Sequence, residues 1–251
     1  MEAAEEKIDN KIIPELSGLI HYHQLYSLKF LNYHFQTYLL SNYVIDELKA
    51  KGNMLRASYA ISLKGLSLIF LGQYEAAKKL YDNLYLYSRQ LQNDYFITVI
   101  KNNIILNEFA AKHYMNVIEL INQAGNTLPF DLYHLAAFSY LRLKQYDQCI
   151  AYINHLNPTK MRYINIKLIK MIQYYLQNNL KSFLEMCQKL LDFYIKDNDI
   201  IMLYAVYDFL IEYFEESNNL KALIKVQRAC LKLNNPKTDN TILNKIKFLN
   251  Q

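Results

Sequence analysis

Apolar positions recur at three- and four-residue intervals along almost the whole chain, the spacing of one face of an α-helix. Leu16, Leu19, Ile20 and His23, then Leu28, Leu31, Phe35, Tyr38 and Leu39, trace a helical region over 15–49 that reads as two helices. Gly52-Asn53 closes it. Beyond it the pattern predicts helices over 54–70, 74–91, 94–111, 114–124, 146–156, 160–177, 180–196, 200–216 and 220–233. One more opens at Pro129 and a last one covers about 239–249. Residues Glu2 to Asn10 read as the end of a longer helix or a short lead-in. Pro14 fits the first turn of a helix, where its missing N–H costs nothing. The breaks are short: Gly72, His113-Tyr114, Gly125-Asn126, Lys144-Gln145, Asn157-Pro158, Asp197 to Asp199 and Ser217 to Asn219.

One break carries a motif. In Leu71-Gly72-Gln73-Tyr74-Glu75-Ala76-Ala77 a turn is followed by Tyr and Ala three residues apart at the start of a helix. Fainter copies stand at Lys144-Gln145-Tyr146-Asp147-Gln148-Cys149 and at Asn178-Asn179-Leu180. Aligned residues Tyr74, Tyr114, Tyr146, Leu180 and Leu220 are 40, 32, 34 and 40 residues apart. Two insertions of about six residues, nearly two helical turns, would lengthen a 34-residue unit and keep its faces in phase.

These residues resemble the tetratricopeptide repeat, a helix pair with a small residue midway along its first helix. Gly65, Tyr74, Ala77 and Tyr81 match the family pattern, and Ala137, Tyr140, Tyr146 and Cys149 match it a second time with Cys in place of Ala. Phe214 and Leu220 fit, whereas Leu223 stands where a small residue is usual. The resemblance covers about 54–236. It implies an all-α, right-handed superhelix of helical hairpins, with an N-terminal helical region over 1–53, repeats over 54–236 and a capping helix over 237–251.

In style, an irregular Tyr-, Asn- and Lys-rich array of this size is also similar to the receptor domain of Gram-positive cytoplasmic peptide-pheromone receptors. These are of the Rgg, PlcR, PrgX and Rap type, with arbitrium receptors among their relatives. That resemblance implies a cytoplasmic quorum-sensing regulator that binds a short signalling peptide in the concave groove lined by its first helices, often through Asn side chains. It also implies a possible homodimer, and contact with DNA only through a separate module. No helix-turn-helix pattern precedes residue 54. The alternative is a constitutive protein–protein interaction scaffold with no small ligand, and a third is a regulator that acts by binding a response regulator.

Composition supports helix and narrows the chemistry. Hydrophobic residues make up 52%, and Gly and Pro number only 5 and 4, so there is material for a core and little for long loops. Tyr occurs 23 times and Trp not at all. A tyrosine buries its ring and leaves a hydroxyl at the edge, which suits packed seams and binding faces alike. The net charge of +5 permits an acidic partner without demanding one, and no block of like charge reads as a nucleic-acid arm. Cys149, Cys187 and Cys230 lie far apart in apolar stretches and read as reduced packing residues of a cytoplasmic protein. No apolar run is long enough to span a bilayer. No two of the six histidines stand four apart, so no metal is expected, and no phosphate loop or nucleophile elbow points to a cofactor or to catalysis.

Candidate binding residues lie on the first helix of each pair. Asn102, Asn103 and Asn107 cluster within two turns, and an amide both donates to and accepts from a peptide backbone. Asn102 and Asn103 are adjacent, so only one of them points fully toward a ligand. His134 and Phe138 share a stripe with Leu141 that suits an apolar pocket. Asp208, Glu212, Glu215 and Glu216 fall on one helix face and suit a peptide amino terminus or a basic side chain. Lys245 and Lys247, beside Ile242, Ile246 and Leu249, mark a cap or a dimer contact.

Overall fold

A computed structural model describes residues 14–125 and 132–233. The expected lead-in, the start at Pro129 and the helix over 239–249 lie outside them. Twelve α-helices and one 3-10 turn, Pro158–Lys160, make up the described residues, with no strand among them. The helices are α1 (Pro14–Phe30), α2 (His34–Ala50), α3 (Met54–Phe70), α4 (Tyr74–Gln90), α5 (Asp94–Ala110) and α6 (Tyr114–Ala124). There follow α7 (Tyr133–Arg142), α8 (Tyr146–His155), α9 (Tyr163–Leu176), α10 (Leu180–Asp197), α11 (Ile200–Glu216) and α12 (Leu220–Leu233). The helix expected from residue 160 begins instead at Tyr163, because Asn157 caps the 3-10 turn by accepting from Thr159 N at 3.1 Å.

The chain divides within α10 into two compact units, Met1–Met186 and Cys187–Gln251. In the first, neighbouring helices pack as hairpins, and α1 lies on α3, α3 on α5 and α7 on α9. This is an all-α array of stacked helix–helix hairpins, the architecture a tetratricopeptide-like solenoid has. In the second unit, α11 packs with α12, and α11 turns a broad face of Met202, Val206, Phe209 and Leu210 into the core.

A fixed rhythm sets the hairpins. From α1 to α6 each helix starts 20 residues after the last, and the same interval separates α10, α11 and α12. Seventeen helical residues and a three-residue turn account for it, except at α10, where the helix has eighteen residues and the turn two. Each turn has its middle residue in the left-handed region: Asn32, Gly52, Gly72, Gln92 and Lys112, then Lys144, Asn178, Asn198 and Asn218. At the central motif, Gly72 N donates to Ile69 O at 3.0 Å and Gln73 N to Leu68 O at 2.8 Å, closing the last turn of α3 as a Schellman cap. The third turn residue often caps the next helix, as where Asn93 accepts from Phe96 N at 2.9 Å and Asp199 from Met202 N at 3.1 Å. The 40-residue spacing therefore needs no insertion. It is two such helices and two such turns, and the units near α7 and α8, each ten residues long, are the shortened ones.

The small residues of the motif are packing residues. Tyr81 is fully buried, and a Cβ on Gly65 would stand 2.6 Å from its ring. Its hydroxyl donates to Ser62 O at 2.9 Å, so the ring ties α4 across α3. In the second copy, buried Cys149 of α8 donates to Ala137 O of α7 at 3.3 Å. Burial pushes the Cys149 thiol up to about 12, which leaves it a packing group without thiolate reactivity. The first hairpin is pinned by Glu47 of α2, which accepts from His21 Nδ1 and Lys51 Nζ at 2.7 Å each and from Ser17 Oγ.

Candidate functional site

On α1, α3 and α5 the face turned away from the hairpin partners is aromatic. Helical spacing places Tyr22, Tyr26 and Phe30 of α1, Leu55, Tyr59 and Leu66 of α3, and Tyr95, Val99, Asn102 and Leu106 of α5 on it, none of them fully buried. Phe30 is 67% exposed and Tyr95 72%. The phenols lie close enough to act on one another. Burial first, then the Tyr59 and Tyr26 phenols and that of Tyr95, raise the Tyr22 pKa, while the Arg56 guanidinium opposes them. Tyr59 in turn sets its ring edge-on to Phe96 of α5, with centroids 4.6 Å apart. Tyr22, Tyr59 and Tyr95 thus step from helix to helix across the stack, with Arg56 as the cation beside them.

The three asparagines of α5 separate by role. Asn103 donates to Ser62 Oγ of α3 at 3.1 Å and bonds the Tyr81 hydroxyl, and Asn107, 3% exposed, donates to Tyr74 O of α4 at 3.2 Å. Both join one hairpin to the next. Asn102 sits on the aromatic face between Val99 and Leu106, with its amide oxygen buried and unpartnered. His134 and Leu141 of α7 are buried, and Phe138 is fully so, its ring 5.8 Å from Phe109 of α5. In the second unit, Asp208 and Glu212 of α11 are half-buried while Glu215 and Glu216 are exposed, and Asp208 helps raise the Tyr204 pKa, after burial and Cys230.

A second surface departs from the register of the array. Phe35, Leu39 and Tyr43 run down the outer face of α2 and are exposed. Forty residues later the same positions hold Glu75, Lys79 and Asn83, and forty further on Met115, Glu119 and Gln123. Five of those six positions are polar and only Met115 is apolar, whereas all three positions on α2 are large and apolar.

The tyrosine face is absent from the sequence-derived candidates. The abundance of Tyr was the one signal for it. Tyr22, Tyr59 and Tyr95 are 37 and 36 residues apart, out of step with the 40-residue frame, so only the crossing of the helices lines them up. Among the described residues no three His, Cys, Asp or Glu side chains are placed to hold a metal, and no helix is long and apolar enough to cross a membrane. No protein-family model matches the chain, and no curated protein matches it. Its class, an all-α array of stacked helix–helix hairpins, is defined by its own architecture.

Proposed function

We propose that the protein is a helical-hairpin scaffold that works by binding another protein rather than by catalysis, through the aromatic face of α1, α3 and α5. The observation that carries this reading is the row Tyr22, Tyr59 and Tyr95, flanked by exposed Phe30, Tyr26 and Leu55. Large contiguous exposed apolar patches mark interaction sites, and tyrosine and arginine are enriched among the residues that carry interface energy. A photo-crosslinking residue placed at Tyr95 is expected to trap a discrete partner in the source cells, and one placed at Asn83 on the outer face of α4 is not. Identical adducts from both positions, or none from Tyr95, would sink the reading.

A second reading, a short extended peptide as ligand, draws on Asn102. Its unpartnered amide oxygen is an acceptor for a peptide N–H, as in a quorum-sensing receptor of the kind the sequence resembles. In a panel of synthetic peptides a true ligand would raise the melting temperature of the chain. Asn102→Ala would weaken its binding by roughly tenfold, the worth of one buried hydrogen bond. Loss of binding with Asn103→Ala but not with Asn102→Ala contradicts this reading.

A further inference from the structure

We propose that a cleft between α4, α5 and α6 is a receptor for one guanidinium or alkylammonium group, such as the end of an arginine or lysine side chain. The cleft has a volume of about 250 Å³, room for a single extended side chain. Its apolar floor, Ile104 and Leu120 with the ring of Tyr81, suits a methylene stem. Its walls carry one cation, Lys78, against three carboxylates, Asp82, Glu108 and Glu119, a balance of −2.

Glu108 builds the walls and does not wait for a ligand. It is 4% exposed; its Oε1 accepts from Lys78 Nζ at 3.2 Å, and its Oε2 faces His113 Nδ1 at 2.9 Å and accepts from Asn116 Nδ2 at 2.8 Å. These contacts join α4, α5, the turn and α6 around one carboxylate. They leave Lys78 committed, so the cation of the cleft is already paired.

The open capacity belongs to acceptors. Asn107, on the cleft wall and 3% exposed, has an amide oxygen with no partner. The orientation of that amide is fixed by chemistry: its NH2 donates to Tyr74 O, and turning it over would set two acceptors face to face. Asp82 of α4 and Glu119 of α6 also line the cleft and are exposed. An unmet carbonyl oxygen in a cleft with two exposed carboxylates suits hydrogen-bond donors and positive charge, disfavours anions, and matches the several N–H donors of a guanidinium.

The test uses the full chain and three probes: acetyl-Gly-Arg-Gly-amide, its citrulline counterpart and spermidine. Binding is followed through the side-chain amide resonances of Asn107 and Asn116. The arginyl peptide is expected to shift both and to bind at least tenfold more tightly than the neutral citrullyl peptide. Asp82→Asn and Glu119→Gln, at exposed positions that leave the fold intact, should each weaken it several-fold. Tighter binding by the peptide assigns a protein side chain as the natural occupant, and tighter binding by spermidine assigns a free polyamine. Equal binding of the arginyl and citrullyl peptides, or no shift of Asn107 with either cation, overturns the proposal.

Discussion

The contact between Gly65 and Tyr81 shows how one missing side chain fixes a hairpin. A methyl group at 65 would meet the ring at 2.6 Å, and the ring is held by its hydroxyl bond to Ser62 O. Gly65→Ala is therefore expected to cost about 1–3 kcal/mol, the usual range for overpacking. Chemical denaturation would measure it, and Tyr81→Leu in the same chain should recover part of the loss. His34 of α2 shows the opposite economy. It is buried, stacked on Phe70 with centroids 3.8 Å apart, and neither ring nitrogen has a hydrogen-bond partner. Burial, with Lys29 nearby, depresses its pKa from 6.5 to about 4. The unfolded chain therefore takes up a proton below pH 6.5 that the folded chain refuses until about pH 4. Stability at this site is full above that window and falls as pH drops through it. His34→Phe keeps the stack, and its unfolding free energy is expected to stay flat where the parent's declines. A parallel decline in both would assign the slope to other groups. Glu47 adds an acid limb lower down. Burial alone would raise its pKa, but hydrogen bonds from Lys51, Ser17 and His21 outweigh it and hold the value at about 2, so its contribution is lost as pH falls from about 4.5 toward 2.

At the scale of the element, the turns are where stability is left to gain. Nine non-helical connections use a left-handed middle residue, yet only Gly52 and Gly72 of those nine are glycine. Asparagine tolerates that conformation, but Gln92, with φ +50°, carries the Cβ penalty. Gln92→Gly is expected to stabilise by roughly 0.5–1 kcal/mol, the strain relieved less the added freedom of the unfolded chain. Asn93→Ala, one residue on, should cost about 1 kcal/mol by removing the cap on α5. The two changes sit in one turn and act in opposite directions, so thermal melts of both, and of the pair, separate turn strain from capping. Most of the turns are legible in the sequence because Gly, Asn and Asp announce them, but Ala111 to His113 and Leu143 to Gln145 hold none of these, and the turn at Leu31 to Tyr33 falls inside the region read only as two helices. The start of α8 at Tyr146 is where the pattern puts it, the start expected at Pro129 lies outside the described residues, and the 3-10 turn before α9 has no signal in the pattern, since a proline ends one helix without saying how far off the next begins.

At the scale of the whole molecule, a stacked array draws its stability from each hairpin and its neighbours, so a surface not used in stacking is free to vary. The outer face of α2 uses that freedom, with Phe35, Leu39 and Tyr43 where α4 has Glu75, Lys79 and Asn83. Leu39→Lys restores the pattern of the array. It should change the unfolding free energy by no more than about 0.5 kcal/mol, the usual limit for a surface site, while raising solubility. A loss well beyond that would show that Leu39 is buried by something in solution. The sequence by itself determined the helices, their turns and the small residues that let them close, because those depend on spacing and on backbone preference within a few residues. Only the tertiary structure decided the use of the side chains. It spent Asn103 and Asn107 on joining hairpins, sank Phe138 into the core, and gathered Tyr22, Tyr59 and Tyr95 from three helices into one face. Those outcomes depend on how the helices cross, and a crossing angle is set by the fit of whole surfaces, which no local spacing records.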